Sequence, residues 1–125
     1  MRMFLVPVAL IVLSSCVTTA QADVDGSDVR LGQTAYVGGP RVRPLAVLED
    51  SRCPANAQCV WAGRVRLKML WVRSTGDQEF ELTLGEPKPL ADGSITLISV
   101  LPEKTMQTQN VPADYRFSFE FQGGI

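Results

Sequence analysis

Cys53 and Cys59 enclose a five-residue loop, PANAQ (54–58), inside the run EDSRCPANAQCVWAG (49–63). Paired sulfurs at this spacing raise three chemistries: metal binding, thiol redox exchange and a covalent staple. A zinc site needs four ligands, and the 125-residue chain contains no histidine to complete a set begun by two cysteines. Thioredoxin-like exchange needs C-x-x-C beside a βαβ unit, whereas five residues separate these two. The remaining reading is a disulfide that closes a small loop.

The absence of histidine removes more than zinc. Ser-His-Asp and Cys-His constellations are excluded, and so is the commonest general base near neutral pH. With both loop sulfurs paired, no thiolate nucleophile remains in the domain. Catalysis would then rest on carboxylates, or on lysines such as Lys68 and Lys88. Glu49 and Asp50 are adjacent, so in a strand they point to opposite faces and cannot act together across a cleft. No phosphate-binding glycine loop occurs. The expectation is that the protein is not an enzyme and takes no cofactor or metal.

DVDGSD (23–28) alternates aspartates in a way that invites calcium. Counted from Asp23, however, the sixth place holds Asp28 instead of Gly and the twelfth Thr34 instead of Glu.

The supporting elements follow from periodicity. GRVRLKMLWVR (63–73) sets Val65, Leu67, Met69 and Trp71 on one face, with Arg64, Arg66 and Lys68 on the other. QEFELTLGEP (78–87) repeats the alternation with Phe80, Leu82 and Leu84, and STGD (74–77) between them predicts a hairpin. Its outer face sets Arg66 and Lys68 near Glu79 and Glu81. Further strands are expected over 33–38, 42–48, 94–103 and 115–122. The last lines up Tyr115, Phe117, Phe119 and Phe121 as core. Short strands without a convincing helix indicate an all-β fold: an antiparallel β-sandwich, immunoglobulin-like in topology, or a small barrel. In this frame Trp61 is in phase with Val65 and is expected on the inner face beside the disulfide. Pro54 and Asn56 suit a turn, Asp50 and Ser51 can cap exposed amides, and Asp50 can pair with Arg52.

The N-terminus gives location. Arg2 followed by the apolar run 4–13 has the form of an export signal and is too short for a permanent span. LSSC (13–16) resembles a lipobox, with Cys16 as the lipidated residue; AQA (20–22) offers ordinary signal peptidase a second site. Residues 1–22 are thus read as signal peptide, possibly cut before Cys16, 23–30 as a flexible tether, and 31–125 as a single β-domain. Two cysteines left in an exported domain again point to a disulfide. Setting aside Arg2 from the 12 basic residues leaves 11 against 13 acidic, a net charge of −2, which argues against nucleic-acid partners.

The run DSRCP (50–54), followed by CVWAG (59–63), resembles a motif of a family of small bacterial secreted proteins and lipoproteins with no assigned activity. The resemblance implies an envelope location and a disulfide-stapled β-domain, and it brings no catalytic residue. In this motif Asp50, Arg52, Trp61 and Gly63 support the loop. The functional expectation is a non-enzymatic cell-envelope lipoprotein or secreted module. It would lie on the periplasmic side, held by lipid if Cys16 is modified, and bind an envelope protein or glycan. The alternative is an inhibitor of a secreted hydrolase, a protease or lysozyme, acting through Pro54, Ala55, Asn56, Ala57 and Gln58.

Overall fold

The architecture comes from a computed structural model, which describes residues 22–107 and 111–123 together with 4, 7 and 9–14. Cys16 and most of the signal segment lie outside the described residues. The chain forms β1 (Val24–Asp25), β2 (Ala35–Tyr36), β3 (Arg41–Asp50), β4 (Val65–Val72), β5 (Gln78–Thr83), β6 (Lys88–Leu90), β7 (Gly93–Leu101) and β8 (Arg116–Gly123). A 3-10 turn, Pro112–Asp114, precedes the last strand.

Two sheets result, ordered β1-β2-β3-β4-β5 and β6-β7-β8. Every pairing is antiparallel except β1 with β2. This is an all-β sandwich, as the alternation requires, and it is not a closed barrel. Nor does it have the immunoglobulin topology. Each sheet is a run of consecutive strands, whereas the immunoglobulin order interleaves strands of the two sheets. The short turns after β4 and β6 contribute to this, because tight connections keep successive strands as neighbours.

The alternating faces meet in one core. Val65, Leu67 and Met69 of β4 are fully buried against Ile95 and Leu97 of β7 and Phe117 and Phe119 of β8. Each such side chain contributes roughly 1.5–3 kcal/mol by leaving water. Tyr115 stacks on Phe117 with ring centroids 5.5 Å apart. Trp71, at the outer end of β4, packs half-buried against this core and lies beneath the Arg73 guanidinium at 4.4 Å. The hairpin charges meet in part: Lys68 reaches Glu79 at 3.3 Å, while Arg66 turns toward Glu49 on β3 at 3.5 Å.

Local residue types explain the irregularities. Pro44 has no N–H for the ladder, and the β3–β4 register shifts beside it. Pro89 sits in β6, at the edge of its sheet, where no inner ladder is broken. The expected strand over 33–38 shrinks to Ala35–Tyr36, because Gly38 adopts φ +94° and turns the chain into β3.

The tether expected over 23–30 is instead part of the fold. Val24 and Asp25 pair with β2, and Asp23 is hydrogen-bonded to Arg41 at 2.9 Å. Val29 is fully buried and exchanges both backbone hydrogen bonds with Phe117, each 2.8 Å. Gly26 accepts from the Phe119 amide at 2.7 Å. The segment therefore joins one sheet to the edge of the other. Its polar aspartates and serine hide this from a hydrophobicity pattern; only Val24 and Val29 face inward. Asp25 caps the Ser27 amide at 2.8 Å, a local turn. Among the described residues no group of acidic or sulfur side chains is arranged to hold a metal ion.

Candidate functional site

β3 ends at Asp50 and β4 begins at Val65, and the residues between form one pole of the sandwich. The antiparallel ladder continues into this connection. The Ser51 amide donates to the Arg64 carbonyl at 2.9 Å, and the Cys53 amide to the Ala62 carbonyl at 3.1 Å. Beyond these rungs Cys53 and Cys59 form a disulfide, with Cα atoms 5.8 Å apart. The five-residue loop is stapled, as its spacing suggested.

Gly63 makes the close approach possible. Its φ is +71°, and a Cβ there would fall 1.7 Å from the Ser51 carbonyl oxygen. Only glycine fits.

The charged triplet acts as a clamp. Arg52 donates from Nε and Nη2 to the two Asp50 oxygens at 2.8 and 2.9 Å, a bidentate pair. The same guanidinium reaches across the sandwich to the Val100 carbonyl at 3.0 Å and the Pro102 carbonyl at 3.2 Å. Tyr115 Oη donates to Asp50 at 2.8 Å, and Lys104 Nζ to the Asp50 carbonyl at 3.0 Å. The Asp50–Arg52 pair thus joins β3, the connection after β7 and the start of β8. The side chains of Arg52 and Asp50 are 16% and 11% exposed, so the pair is largely shielded from water. Burial acts to raise the Asp50 pKa; the hydrogen bonds from Arg52 and Tyr115 and the guanidinium charge outweigh it and hold it well below the usual carboxylate range. The Arg52 pKa is raised by its hydrogen bond to Asp50. Glu49 points outward and pairs with Arg64 at 2.6 Å, which lowers its pKa through that hydrogen bond.

The loop itself is tied to the segment after β7. The Ala55 amide donates to the Lys104 carbonyl at 2.7 Å, Asn56 donates to Gln107 at 2.8 Å, and Asn56 Oδ1 accepts from the Met106 amide at 2.9 Å. Pro54 opens a turn closed by the Ala57 amide on its carbonyl at 3.0 Å. Ala55 and Asn56 are exposed, as is Gln58.

Trp61 departs from expectation. Instead of packing on the inner face, it is 83% exposed, and Val60 beside it is 90% exposed. The inward alternation of β4 begins only at Val65 because the positive φ at Gly63 breaks the phase. Sequence reasoning also missed Tyr115 as a partner of Asp50, and Lys104 altogether. Pairing across 65 positions leaves no local spacing signal.

The pole is a stapled, internally bonded end of an all-β sandwich that carries two outward apolar side chains. No family model matches the chain, and neither a curated protein nor a solved structure shows significant similarity to it.

Proposed function

We propose that this chain is a non-enzymatic, exported module of the bacterial cell envelope, whose stapled pole is its binding surface for an envelope protein or glycan. The observation that supports it most is how the strongest charged cluster is used. Both Asp50 oxygens accept from Arg52, Tyr115 adds a third donor, and Arg52 spends its remaining reach on backbone carbonyls. A catalytic carboxylate needs a proton to exchange near the working pH, and this one is held charged by a permanent partner. The clamp holds the pole in shape, which suits presentation of a surface. Its disulfide fits an oxidising compartment. Lipidation at Cys16 would fix the domain to a membrane.

The test is crosslinking in the native envelope combined with mass spectrometry of the mature N-terminus. A diacylglyceryl-modified Cys16 and a discrete crosslinked species are expected. A mature chain that begins at Asp23 would remove the lipid anchor, and a chain retained in the cytoplasm would end the envelope reading.

A second reading, an inhibitor of a secreted hydrolase acting through 54–58, gains from the exposed Trp61. Small residues at 55–57 give that loop little to grip with, and a neighbouring indole supplies the kind of anchor that carries inhibitor affinity. Purified protein assayed against secreted proteases and lysozyme decides this: inhibition lost on Trp61→Ala supports it, and undiminished hydrolysis at micromolar protein ends it.

A further inference from the structure

We propose that the outer edge of β5 is a strand-binding site, which takes an extended polypeptide segment carrying lysine or arginine at alternate positions. It is a second surface, and it rests neither on the stapled pole nor on a lipid anchor.

The four edges of the two sheets are finished differently. An open ladder pairs readily with further strands, so proteins shorten, cover or interrupt it, or line it with charge. β1 is two residues long, and β6 is three residues with Pro89 in the middle. β8 is covered: Val29 exchanges both backbone hydrogen bonds with Phe117, and the Gly26 carbonyl accepts the Phe119 amide. β5 (Gln78–Thr83) is six residues long, holds no proline and pairs with β4 in an unbroken register. Its one guard is charge, and charge selects as well as excludes.

The backbone itself says what kind of molecule fits. The Leu84 amide donates to the Val65 carbonyl, at the next rung of the β4–β5 ladder, at 2.9 Å. Counting back along the regular register, Leu82, Phe80 and Gln78 also turn their amides and carbonyls toward β4. Thr83, Glu81 and Glu79 therefore turn theirs outward. The Thr83 carbonyl accepts from the Glu86 amide at 3.0 Å. Glu79 and Glu81 have no backbone partner on that side among the described residues. Their donors and acceptors repeat at about 7 Å, the spacing of every second residue in a strand. A polypeptide strand matches this repeat, and a sugar or a lipid headgroup has no such repeat.

Charge then chooses among strands. Glu79 and Glu81 are exposed on the outer face beside this edge. Lys68 reaches Glu79 at 3.3 Å, whereas Glu81 has no ion pair among the described residues. A hollow of about 330 Å³ lies between Leu48, Lys68, Glu79, Phe80 and Glu81. Leu48, 41% exposed, gives it an apolar wall. Such a hollow suits a lysine or arginine, whose aliphatic stem lies on the leucine while its charged head meets Glu81. A second copy of this chain is the wrong strand. Antiparallel self-pairing sets outward residues opposite outward residues, so any register that uses both glutamates brings carboxylates face to face.

The experiment titrates two synthetic peptides of about eight residues into the purified mature protein, one alternating Lys with Thr and the other Glu with Thr. The lysine peptide should bind saturably, and the glutamate peptide about tenfold more weakly or worse. On binding, amide exchange should slow at Glu79 and Glu81. Lysines opposite these residues supply the partner's inward amides, so N-methylation of the lysine amides should abolish binding and N-methylation of the threonine amides should spare it. Glu81→Lys should reverse the preference between the peptides. Trp61→Ala should leave the affinity unchanged, which separates this edge from the pole. The proposal is overturned by no binding, by equal binding of both peptides, or by binding indifferent to where the methyl groups sit. Protection away from 79 and 81, loss of affinity in Trp61→Ala, or pairing of this edge with a second copy of the chain overturns it equally.

Discussion

Replacing Arg52 with alanine should be costly, and its size can be worked from geometry. The substitution removes a bidentate pair and two bonds to backbone carbonyls, and leaves Asp50 with Tyr115 as its remaining side-chain donor. Exposed ion pairs couple by about 0–1 kcal/mol, whereas breaking a buried pair costs about 3–5. At 11% and 16% side-chain exposure the pair lies nearer the buried limit, so a coupling of about 2–3 kcal/mol is expected. For a domain of this size that lowers the melting temperature by roughly 8–24 °C. The assay is a double-mutant cycle of Arg52→Ala and Asp50→Asn by denaturant unfolding at neutral pH. The pH dependence supplies a second check. The folded Asp50 pKa lies below its unfolded value, so the unfolded chain takes up the proton first as pH falls. The stabilisation is complete above the ordinary carboxylate pKa of about 4 and is lost progressively below it, so wild type and Arg52→Ala should converge in acid. A neutral-pH coupling under about 0.5 kcal/mol, or a gap that does not narrow in acid, would refute the clamp.

Reducing the disulfide, or replacing both cysteines with alanine, should cost up to about 2.4 kcal/mol by loop-closure entropy for seven residues, read as a lower denaturation midpoint. Gly63→Ala should destabilise by more than about 2 kcal/mol, since its methyl group meets the Ser51 carbonyl and its φ is positive; a near-neutral midpoint would contradict that backbone. Trp61→Ala should shift stability by less than about 0.5 kcal/mol, whereas a buried tryptophan would lose about 3–5; calorimetry separates the two. Val29→Asp should unfold the domain at room temperature because it places a charge at a fully buried site; a cooperative melt close to that of wild type would restore the tether reading of residues 23–30.

The sheets were legible in the sequence because period-two alternation is itself the condition for a half-buried strand. Val65, Leu67, Met69, Phe117 and Phe119 face inward as the pattern requires. The staple was legible by elimination, and the Asp50–Arg52 pair by proximity. What escaped is instructive. Val24 and Val29 lie among polar residues, so a segment that joins two sheets reads as solvated linker. Trp61 shares the parity of Val65, but parity carries through only where backbone angles stay extended, and Gly63 interrupts them. Tyr115 and Lys104 meet Asp50 through tertiary packing, which no short window contains.

The bonds between Val29 and Phe117 have a consequence for the order of events in folding. Gly26 and Val29, near the start of the β-domain, are held by its last strand. Until β8 is complete, β7 lacks one neighbour and Val29 lacks the strand it pairs with. Contacts this distant in sequence form late and slowly. The nascent chain therefore remains unlocked for nearly its whole length, the condition under which a polypeptide can still be threaded through a narrow channel.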